Sequence, residues 1–214
     1  MTESATGLIL RTRPLTETSL IVHWLTPEAG RIATVAKGAR RPKSPFLGKL
    51  DLFYFADFSF SRSRRSDLHT LGEVRLRETH GEIRKDMHRL RQAAYAAAFI
   101  EQATETETPL PAIFELMNSF LDCLCRHASA PQLVPAFELK LLHELGLNPN
   151  LEKTRLTPGM KQIVRVLNQA DWPSCLRLKL TNAQADELQK FLHGFLIFHL
   201  ERMPKGRASA LALD

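Results

Sequence analysis

The stretch SLIVHWLTPEAGRIATVA, residues 19–36, decides the fold class because it places two β-prone runs on either side of a turn. The first run, Ser19–Leu25, is mostly apolar and contains Ile, Val and Trp, which favour strands. The turn Thr26–Gly30 carries Pro and Gly, and Arg31–Ala36 forms the second run. Short apolar runs separated by turn residues are typical of antiparallel sheet. The stretch therefore predicts two strands of such a sheet.

Three more segments complete the predicted sheet. Gly7–Arg13 is mostly apolar, and the other two segments alternate between two faces, as strands do. In Asp51–Phe60 one face carries Leu52, Tyr54, Ala56, Phe58 and Phe60. In Leu68–Leu76 one face carries Leu68, Thr70, Val74 and Leu76, and the other carries His69, Glu73 and Arg75. Five short strands in about 80 residues suit a small closed or partly open barrel such as the OB-fold.

Beyond residue 81 the apolar spacing becomes three or four, which is typical of amphipathic helices. Helices are predicted over Glu82–Ala103, 112–127, a third segment introduced by Pro131 and Pro135, 158–170 and 182–202. Gly146 supplies a C-cap for the third helix, and the stretch from Thr181 supplies an N-cap for the last. The boundary between the two predicted domains falls between residues 78 and 82. We therefore predict an α+β chain with an N-terminal OB-fold β-barrel domain, residues 1–80, and an all-helical C-terminal domain, residues 81–214.

Positive charge is concentrated in the predicted barrel. The formal net charge of the chain is +6. Residues 1–80 contain 13 Lys/Arg and 8 Asp/Glu, a difference of +5, whereas residues 81–214 contain 16 and 15, a difference of +1. Such an asymmetry indicates that the barrel meets an anionic ligand while the helical part does something else.

Composition excludes several classes of protein. Hydrophobic residues make up 44% and charged residues 24% of the chain, as in ordinary soluble domains. No apolar run approaches the roughly 18–20 residues that span a bilayer, and the N-terminus lacks the basic start and apolar stretch of a secretory signal. Cys123, Cys125 and Cys175 form no even disulfide framework. We therefore expect a cytoplasmic protein without a membrane segment.

Two basic segments are the candidate nucleic-acid contacts. Gly and Pro residues keep Lys37–Pro45 out of regular structure, and its four cations are Lys37, Arg40, Arg41 and Lys43. Ser61–Arg65 lies at the predicted tip between the last two strands and carries Arg62, Arg64 and Arg65. The same surface is extended by Arg11, Arg13, Arg31 and Lys49. Exposed Lys and Arg neutralise phosphates and release counterions, which gives sequence-independent affinity. Solvated surface charge is the alternative interpretation.

Aromatic side chains offer base stacking in addition to phosphate contacts. On the predicted strand Phe53 and Phe55 face opposite to Tyr54 and Phe58, which allows one of the two sets to be exposed. Burial in the barrel core is the favoured interpretation for each ring taken singly.

Catalytic motifs are missing from the sequence. It contains no P-loop, no G-x-S-x-G elbow and no H-E-x-x-H pair, and its eight histidines are scattered. Cys123 and Cys125 lie two apart on a predicted helix and point to different sides, so they do not form a zinc pair. The only acids near enough to imagine as an enzyme site are Glu17, Asp51 and Asp57. We predict a protein that is not an enzyme and has no catalytic residues, metal or cofactor.

A series of short motifs runs through the chain in a specific order. In the barrel segment these are Leu10-Arg-Thr-Arg-Pro14, Glu17-Thr-Ser19, Leu25-Thr26, Gly30-Arg31, Val35-Ala-Lys-Gly-Ala-Arg40, Gly48, Leu50 and Thr70-Leu71. They resume in Phe137-Glu-Leu-Lys-Leu-Leu142, Leu145-Gly-Leu147, Pro149-Asn-Leu151 and Arg207-Ala-Ser209. In order and spacing these motifs resemble the RecO family of bacterial recombination mediators, closely in the barrel segment and loosely in the helical part.

The resemblance implies an OB-fold, a helical C-terminal domain, binding of single- and double-stranded DNA, and annealing of complementary strands in recombination and the repair of DNA damage. It also implies partnership with RecR and with the acidic tail of single-stranded-DNA-binding protein, to help load RecA on coated strands. It makes the matching basic positions DNA-contact candidates: Arg11, Arg13, Lys37, Arg40 and Arg41. Charge and loop placement alone support Lys43, Arg62, Arg64 and Arg65.

The chain departs from the family pattern after Leu151, where many members carry a four-cysteine zinc motif. Thr154 and Thr157 stand where the first cysteine pair would be, so zinc is not expected. The chain is also shorter there, which predicts a trimmed C-terminal domain and weakens the expectation of contact with the acidic tail. Lys140 of the third helix is a candidate for that contact, and helix packing is the favoured alternative.

Two other functions stay open from the sequence. A basic barrel alone does not distinguish DNA from RNA, so an RNA-binding OB-fold accessory protein is the runner-up. A protein scaffold with a basic docking face for acidic partners is the other alternative.

Overall fold

Five strands close into a barrel in the computed structural model, which describes residues 2–128 and 130–212. The strands are β1 (Thr2–Pro14), β2 (Leu20–Thr26), β3 (Gly30–Ala36), β4 (Phe55–Ser61) and β5 (Leu68–Glu78). Their order around the barrel is β1-β2-β3-β5-β4. The OB-fold barrel predicted from the sequence is therefore confirmed.

Strand β1 closes the barrel because it is long enough to have two partners. Its N-terminal half pairs antiparallel with β4, and its C-terminal half pairs antiparallel with β2. A register shift between Ile9 and Arg11 lets the strand bend from one partner to the other. Strands β3 and β5 pair in parallel, which completes the ring.

Aromatic rings fill the barrel. Trp24 stacks on Phe58 with ring centroids 3.9 Å apart, and its indole N–H donates to Thr34 Oγ1 at 2.9 Å. Buried apolar residues surround this pair: Ile9, Val22, Ile32, Ala36, Phe46, Ala56, Phe60, Leu71 and Val74. Because the indole N–H has an acceptor, the large ring is buried without leaving an unsatisfied donor.

Two strands begin several residues away from their predicted starts. Strand β1 begins at Thr2, not Gly7, because its short polar N-terminal residues pair with β4. Strand β4 begins at Phe55, not Asp51, because the preceding residues form a turn in which Phe53 takes a left-handed backbone conformation (φ 63°). The alternation of apolar residues predicts neither the pairing of β1 with β4 nor the turn before β4.

The predicted faces of β5 are partly wrong. His69 and Leu71 are buried, while Thr70 is exposed. The pairing of β5 with β4 shifts register between Leu71 and Val74, so three residues of β5 face two of β4. Such an irregularity reverses the alternation of inward and outward side chains along the strand.

The five predicted helices are present, together with two short helices. The helices are α1 (Met87–Ala103), α2 (Pro111–Arg126), α3 (Leu133–Glu144), α4 (Pro158–Gln169), α5 (Trp172–Arg177), α6 (Asn182–Leu200) and α7 (Arg207–Leu211), of which α5 and α7 were not predicted. Helix α1 starts later than predicted because Gly81–Lys85 forms a 3-10 turn. Thr181 and Gln184 form the predicted cap of α6 as a reciprocal capping box, and Gly146 follows α3 with φ 73°. The α+β class is confirmed.

The described residues separate into two compact units. The barrel unit consists of residues 2–81 and 104–121, and the helical unit consists of residues 82–103, 122–128 and 130–212. Within the part of the chain that the structure describes, no helix is both long enough and apolar enough to cross a membrane.

A buried polar cluster joins three helices of the helical unit. The Arg207 guanidinium donates to both carboxylate oxygens of Glu138, at 2.6 and 3.0 Å, and the Tyr95 hydroxyl donates to Glu138 Oε1 at 2.6 Å. All three side chains are almost completely buried. Because the carboxylate is paired and hydrogen-bonded, the unit tolerates these charges in its interior. The cluster fixes α7 against α1 and α3.

Lys140 contacts a neighbouring helix, in agreement with the favoured interpretation that it serves helix packing. Its ammonium group donates to the Asn168 carbonyl at 3.0 Å and to the Ala170 carbonyl, at the C-terminal end of α4. It also lies 5.4 Å from the centre of the Trp172 ring. Burial lowers the pKa of Lys140. A cation at the carbonyl end of a helix is favourable, so this side chain holds α4 to α3.

Candidate nucleic-acid interface

Residues 37–50, between β3 and β4, form a loop that we call the basic loop. Successive turns shape it, closed by hydrogen bonds from Arg41 N to Gly38 O, from Ser44 N to Arg41 O and from Lys49 N to Phe46 O, all of 3.0 or 3.1 Å. The predicted cations Lys37, Arg40, Arg41 and Lys43 are all exposed. The predicted loop conformation is thus confirmed, and the structure brings these four charges together on one short segment.

The basic loop is held to the barrel at both ends. Phe46 inserts its ring into the barrel core and is only 7% exposed. At the other end Arg40 N donates to Thr18 O at 3.0 Å, and Gly38 N donates to Ser19 Oγ at 3.4 Å, both in the turn between β1 and β2. A loop fixed in this way loses less conformational freedom when it binds a ligand.

A second group of cations lies on the sheet itself, and we call Arg11, Arg13 and Arg31 the arginine patch. Arg11 is paired directly with His23 of β2, which is paired in turn with Ala33 of β3. Arg11 and Arg13 are exposed, and Arg31 is half-buried with its Nε donating to Thr104 Oγ1 at 2.8 Å. The sheet thus gathers two predicted contact residues and a third arginine around one histidine.

The pKa of His23 is affected by these three arginines. Burial, followed by the charges of Arg11, Arg13 and Arg31, lowers the pKa of His23 to about 4. Its Nε2 atom is buried and has no hydrogen-bond partner among the described residues. The imidazole is therefore neutral near pH 7, and the positive charge of the patch comes from the arginines.

Arg62 is engaged in ion pairs. Its guanidinium contacts Glu3 at 3.0 Å and Glu107 at 2.7 Å. The hydrogen bond from Arg62 holds the pKa of Glu3 below its usual range. His69 Nε2 lies 3.0 Å from the same Glu107 carboxylate, a contact that becomes an ion pair when the imidazole is protonated. Two carboxylates offset the charge of Arg62 locally, which lowers its capacity to attract phosphate.

The remaining predicted arginines, Arg64 and Arg65, are exposed on the loop between β4 and β5. That loop is joined through Arg62 to β1 and to the Thr104–Leu121 segment. The basic loop is joined instead to the turn between β1 and β2. The two predicted basic segments therefore rest on different neighbours within the barrel unit.

The aromatic residues follow the favoured interpretation of burial. Phe53 and Phe58, which the strand pattern placed on opposite faces, are both buried, at 1% and 3% exposed. Phe55 is half-buried with its ring centre 6.0 Å from that of Phe114. Tyr54 is half-buried beside the basic loop. Phe53 departs from the pattern because its left-handed backbone breaks the alternation.

Two of the three acids that the sequence offered for an enzyme site, Asp57 and Asp51, have structural partners. Asp57 accepts from Arg77 Nε at 2.7 Å and from Thr6 Oγ1 at 2.8 Å, and Arg77, followed by Thr6, lowers its pKa. Asp51 accepts from the Leu52 backbone N–H at 2.8 Å. Glu17 is exposed in the turn between β1 and β2. These contacts account for the carboxylates as sheet and turn stabilisers.

The described residues hold no group of three or more His, Cys, Asp or Glu side chains placed to bind an ion. Thr157 caps α4, accepting from Met160 N at 3.2 Å, and Thr154 donates to Leu151 O at 2.8 Å. The two threonines that stand in the family's cysteine positions thus form local turns and caps.

Sequence reasoning missed three contributors to this surface. Phe46 is an isolated aromatic residue in a segment of turn residues and cations, a signal that it anchors the loop. His23 carried no signal, because its environment depends on charges from two neighbouring strands. The Thr104–Leu121 segment lies between helices in the sequence but belongs to the barrel unit in the fold. It supplies Thr104, which accepts from Arg31, and Glu107, which pairs with Arg62.

Comparison with known proteins matches two consecutive segments of the chain to two family models. A family model described as recombination protein O N terminal matches residues 1–80, and one described as recombination protein O C terminal matches residues 84–157. Curated relatives named DNA repair protein RecO match over much of the chain. The relative from Alkaliphilus metalliredigens (strain QYMF) is 33% identical over 146 residues, which cover 68% of this chain and 58% of the relative.

Two further relatives with the same name extend the comparison. The one from Anaeromyxobacter sp. (strain K) is 33% identical over 147 residues, 69% of this chain and 58% of the relative. The one from Listeria monocytogenes serotype 4b (strain CLIP80459) is 29% identical over 205 residues, 94% of this chain and 80% of the relative. The match with the first two relatives thus spans less than two thirds of their length.

Proposed function

The chain belongs to the RecO family, and from that premise we propose that it is a DNA-binding recombination mediator that acts in DNA repair. It would bind single- and double-stranded DNA, anneal complementary strands, and help load RecA onto single strands coated by single-stranded-DNA-binding protein. In this proposal the protein acts in the cytoplasm by binding DNA strands and partner proteins, and it catalyses no covalent step.

One observation carries the proposal: the basic loop presents Lys37, Arg40, Arg41 and Lys43 to solvent from a backbone fixed at both ends. Cations placed on a fixed backbone neutralise phosphates and release counterions with little ordering cost. Arg11 and Arg13 of the arginine patch add exposed charge on the adjoining sheet. The surface reads charge and not base sequence.

Annealing follows from charge neutralisation. Two complementary strands repel each other through their phosphates, most strongly at low salt. A surface that binds both strands offsets this repulsion, so that base pairing proceeds once the strands meet. The remaining predicted contacts, Arg62, Arg64 and Arg65, would widen the surface on the loop between β4 and β5, with Arg62 the weakest because of its two carboxylate partners.

Partner recruitment belongs to the second half of the chain in this proposal. Residues 1–80 form the DNA-binding domain, and residues 81–214 form the domain that contacts RecR and the acidic tail of single-stranded-DNA-binding protein. Lys140 is not proposed for the tail, because its ammonium group already donates to two carbonyls of the α4 end.

The test is binding of a labelled single-stranded oligonucleotide across a salt series. Each phosphate contact contributes about 0.7 to the slope of log K against log salt for single strands, so Arg40→Ala/Arg41→Ala should flatten the slope by about 1.4. Lys153→Ala/Arg155→Ala, which removes two exposed cations from the helical unit, is the matched control and should leave the slope unchanged.

An unchanged slope for the Arg40/Arg41 variant would remove the basic loop from the proposal. A matched RNA oligomer that competes as well as DNA would favour the RNA-binding accessory protein instead. Absence of binding at low salt would favour the protein scaffold with a basic docking face.

A further inference from the structure

A cavity of about 230 Å³ lies in the barrel unit beside the basic loop. Its walls include Leu20, Phe46, Leu47, Leu50, Asp51 and Tyr54. Apart from the Asp51 carboxylate and the Tyr54 hydroxyl, these side chains are apolar. The cavity therefore offers apolar contact with two polar groups in its wall, which is the usual composition of a small-ligand site.

The wall that carries Tyr54 is rigidly placed. Phe53 N donates to Ile9 O at 2.8 Å, and Ile9 N donates to Tyr54 O at 3.0 Å, which ties the turn to β1. His80 Nδ1 lies 2.7 Å from Phe53 O on the other side. These contacts hold Phe53 at φ 63°, a conformation that bulky residues rarely adopt. Such a backbone persists only where its surroundings enforce it, and here it directs Phe53 into the core and leaves Tyr54 at the cavity.

The loop above the cavity combines an exposed apolar side chain with charge of one sign. Leu47 is 69% exposed although it lines the cavity wall. Residues 37–50 contain five cations, Lys37, Arg40, Arg41, Lys43 and Lys49, and no acid. A ligand that covers Leu47 and also satisfies this charge is apolar in one part and anionic beside it.

We propose that this cavity receives one unstacked nucleobase of a single DNA strand whose flanking phosphates lie on the basic loop. The proposal rests on the proposed function and adds to it a base contact that is independent of sequence. The aromatic and leucine side chains contact the faces of the base, as in other single-strand sites where bases stack on aromatic rings. The Asp51 carboxylate, which has several acceptor positions, faces the donor edge.

The experiment compares a single-stranded oligonucleotide with an abasic strand of equal length, which has the same phosphates and no bases. Stacking of one base contributes roughly a fivefold to hundredfold gain in affinity, so the full-length protein should prefer the normal strand by at least about fivefold. Ala39 also lines the cavity. Leu47→Ser, which opens the wall, and Ala39→Leu, which fills the cavity, should each reduce this preference severalfold without changing the salt slope.

Leu15→Ser is the matched control, because Leu15 is an exposed leucine, 45% accessible, that is not part of the cavity wall. It should keep the wild-type preference for the normal strand. Circular dichroism of each variant checks that the fold is kept, and Leu47→Ser changes a side chain that is already in water.

The outcomes separate the two proposals. Equal binding of normal and abasic strands by the wild-type protein, or a preference that both cavity variants keep, overturns the base site and leaves the DNA-binding function standing. An acidic peptide with an aromatic residue that binds the wild type and loses binding in Leu47→Ser, with no preference between strands, assigns the cavity to a peptide and also overturns the base site. Failure to bind either strand at low salt overturns the proposed function itself.

Discussion

His23 lies on β2 among the three arginines of the arginine patch, and its environment makes protonation unfavourable. Its folded-state pKa is about 4, below the ordinary value of 6.5, because of burial first and the arginine charges second. As pH falls below 6.5 the unfolded chain takes up a proton at this residue and the folded chain does not. The free energy of unfolding therefore decreases as pH falls from about 6.5 towards 4.

Replacing His23 by glutamine should remove this component of the pH dependence. We expect His23→Gln to lose less stability than the wild type between pH 7 and pH 5, measured as urea midpoints of the barrel unit. His127→Gln, which changes an exposed histidine, is the control and should follow the wild type. Parallel stability curves for His23→Gln and the wild type would show that folding does not lower the pKa of His23.

Residue identities in the site could be predicted from the sequence, but their partners could not. The four cations of the basic loop are exposed as their Gly- and Pro-rich context indicates. Arg62 looked equivalent to Arg64 and Arg65, yet its partners Glu3 and Glu107 are 59 and 45 residues away in sequence. Ion pairs between such distant residues depend on how the strands and loops assemble, which no local pattern encodes.

At the scale of elements, one apolar side chain anchors the C-terminal end of the basic loop. Phe46 contributes its ring to the barrel core although it belongs to no strand. The turns that carry Arg40, Arg41 and Lys43 lie between this anchor and the hydrogen bonds to Thr18 and Ser19. The loop can therefore present its charges in one arrangement without regular secondary structure of its own.

Truncation of the anchor should loosen the loop and the barrel together. Phe46→Ala is expected to lower the free energy of unfolding of the barrel unit by about 3 kcal/mol, because it leaves a cavity in the core, and also to weaken binding of single-stranded DNA. Leu47→Ala, at the exposed neighbouring position, should change stability by no more than about 0.5 kcal/mol. Stability of Phe46→Ala equal to that of Leu47→Ala would show that the ring does not anchor the loop.

The types of the elements could be predicted because the spacing of apolar residues indicates which face of a strand or helix is buried. Apolar, β-prone runs bounded by turn residues identified the first three strands, the period of two identified the last two, and the period of three to four identified the longer helices. Where prediction failed, tertiary pairing decided: β1 is extended by its pairing with β4, and β5 changes face at a register shift. The short helices α5 and α7 were missed because so few residues show no periodicity.

At the scale of the whole molecule, most of the excess positive charge belongs to residues 1–80. The charge asymmetry predicted an anion-binding barrel, and the structure places the exposed cations of the basic loop on that barrel. The sequence did not predict that Thr104–Leu121 joins the barrel unit, because the segment continues a run of helical sequence. Partner recruitment leaves no comparable signal in composition.

The central claim is that a fixed basic surface brings complementary strands together and that the helical domain recruits the coated substrate. It is tested most directly by annealing of two complementary labelled oligonucleotides across a salt series, with and without single-stranded-DNA-binding protein. We expect annealing that weakens as salt rises and that persists on coated strands. Annealing on naked strands alone would contradict the partner role, and no annealing even at low salt would contradict the account as a whole.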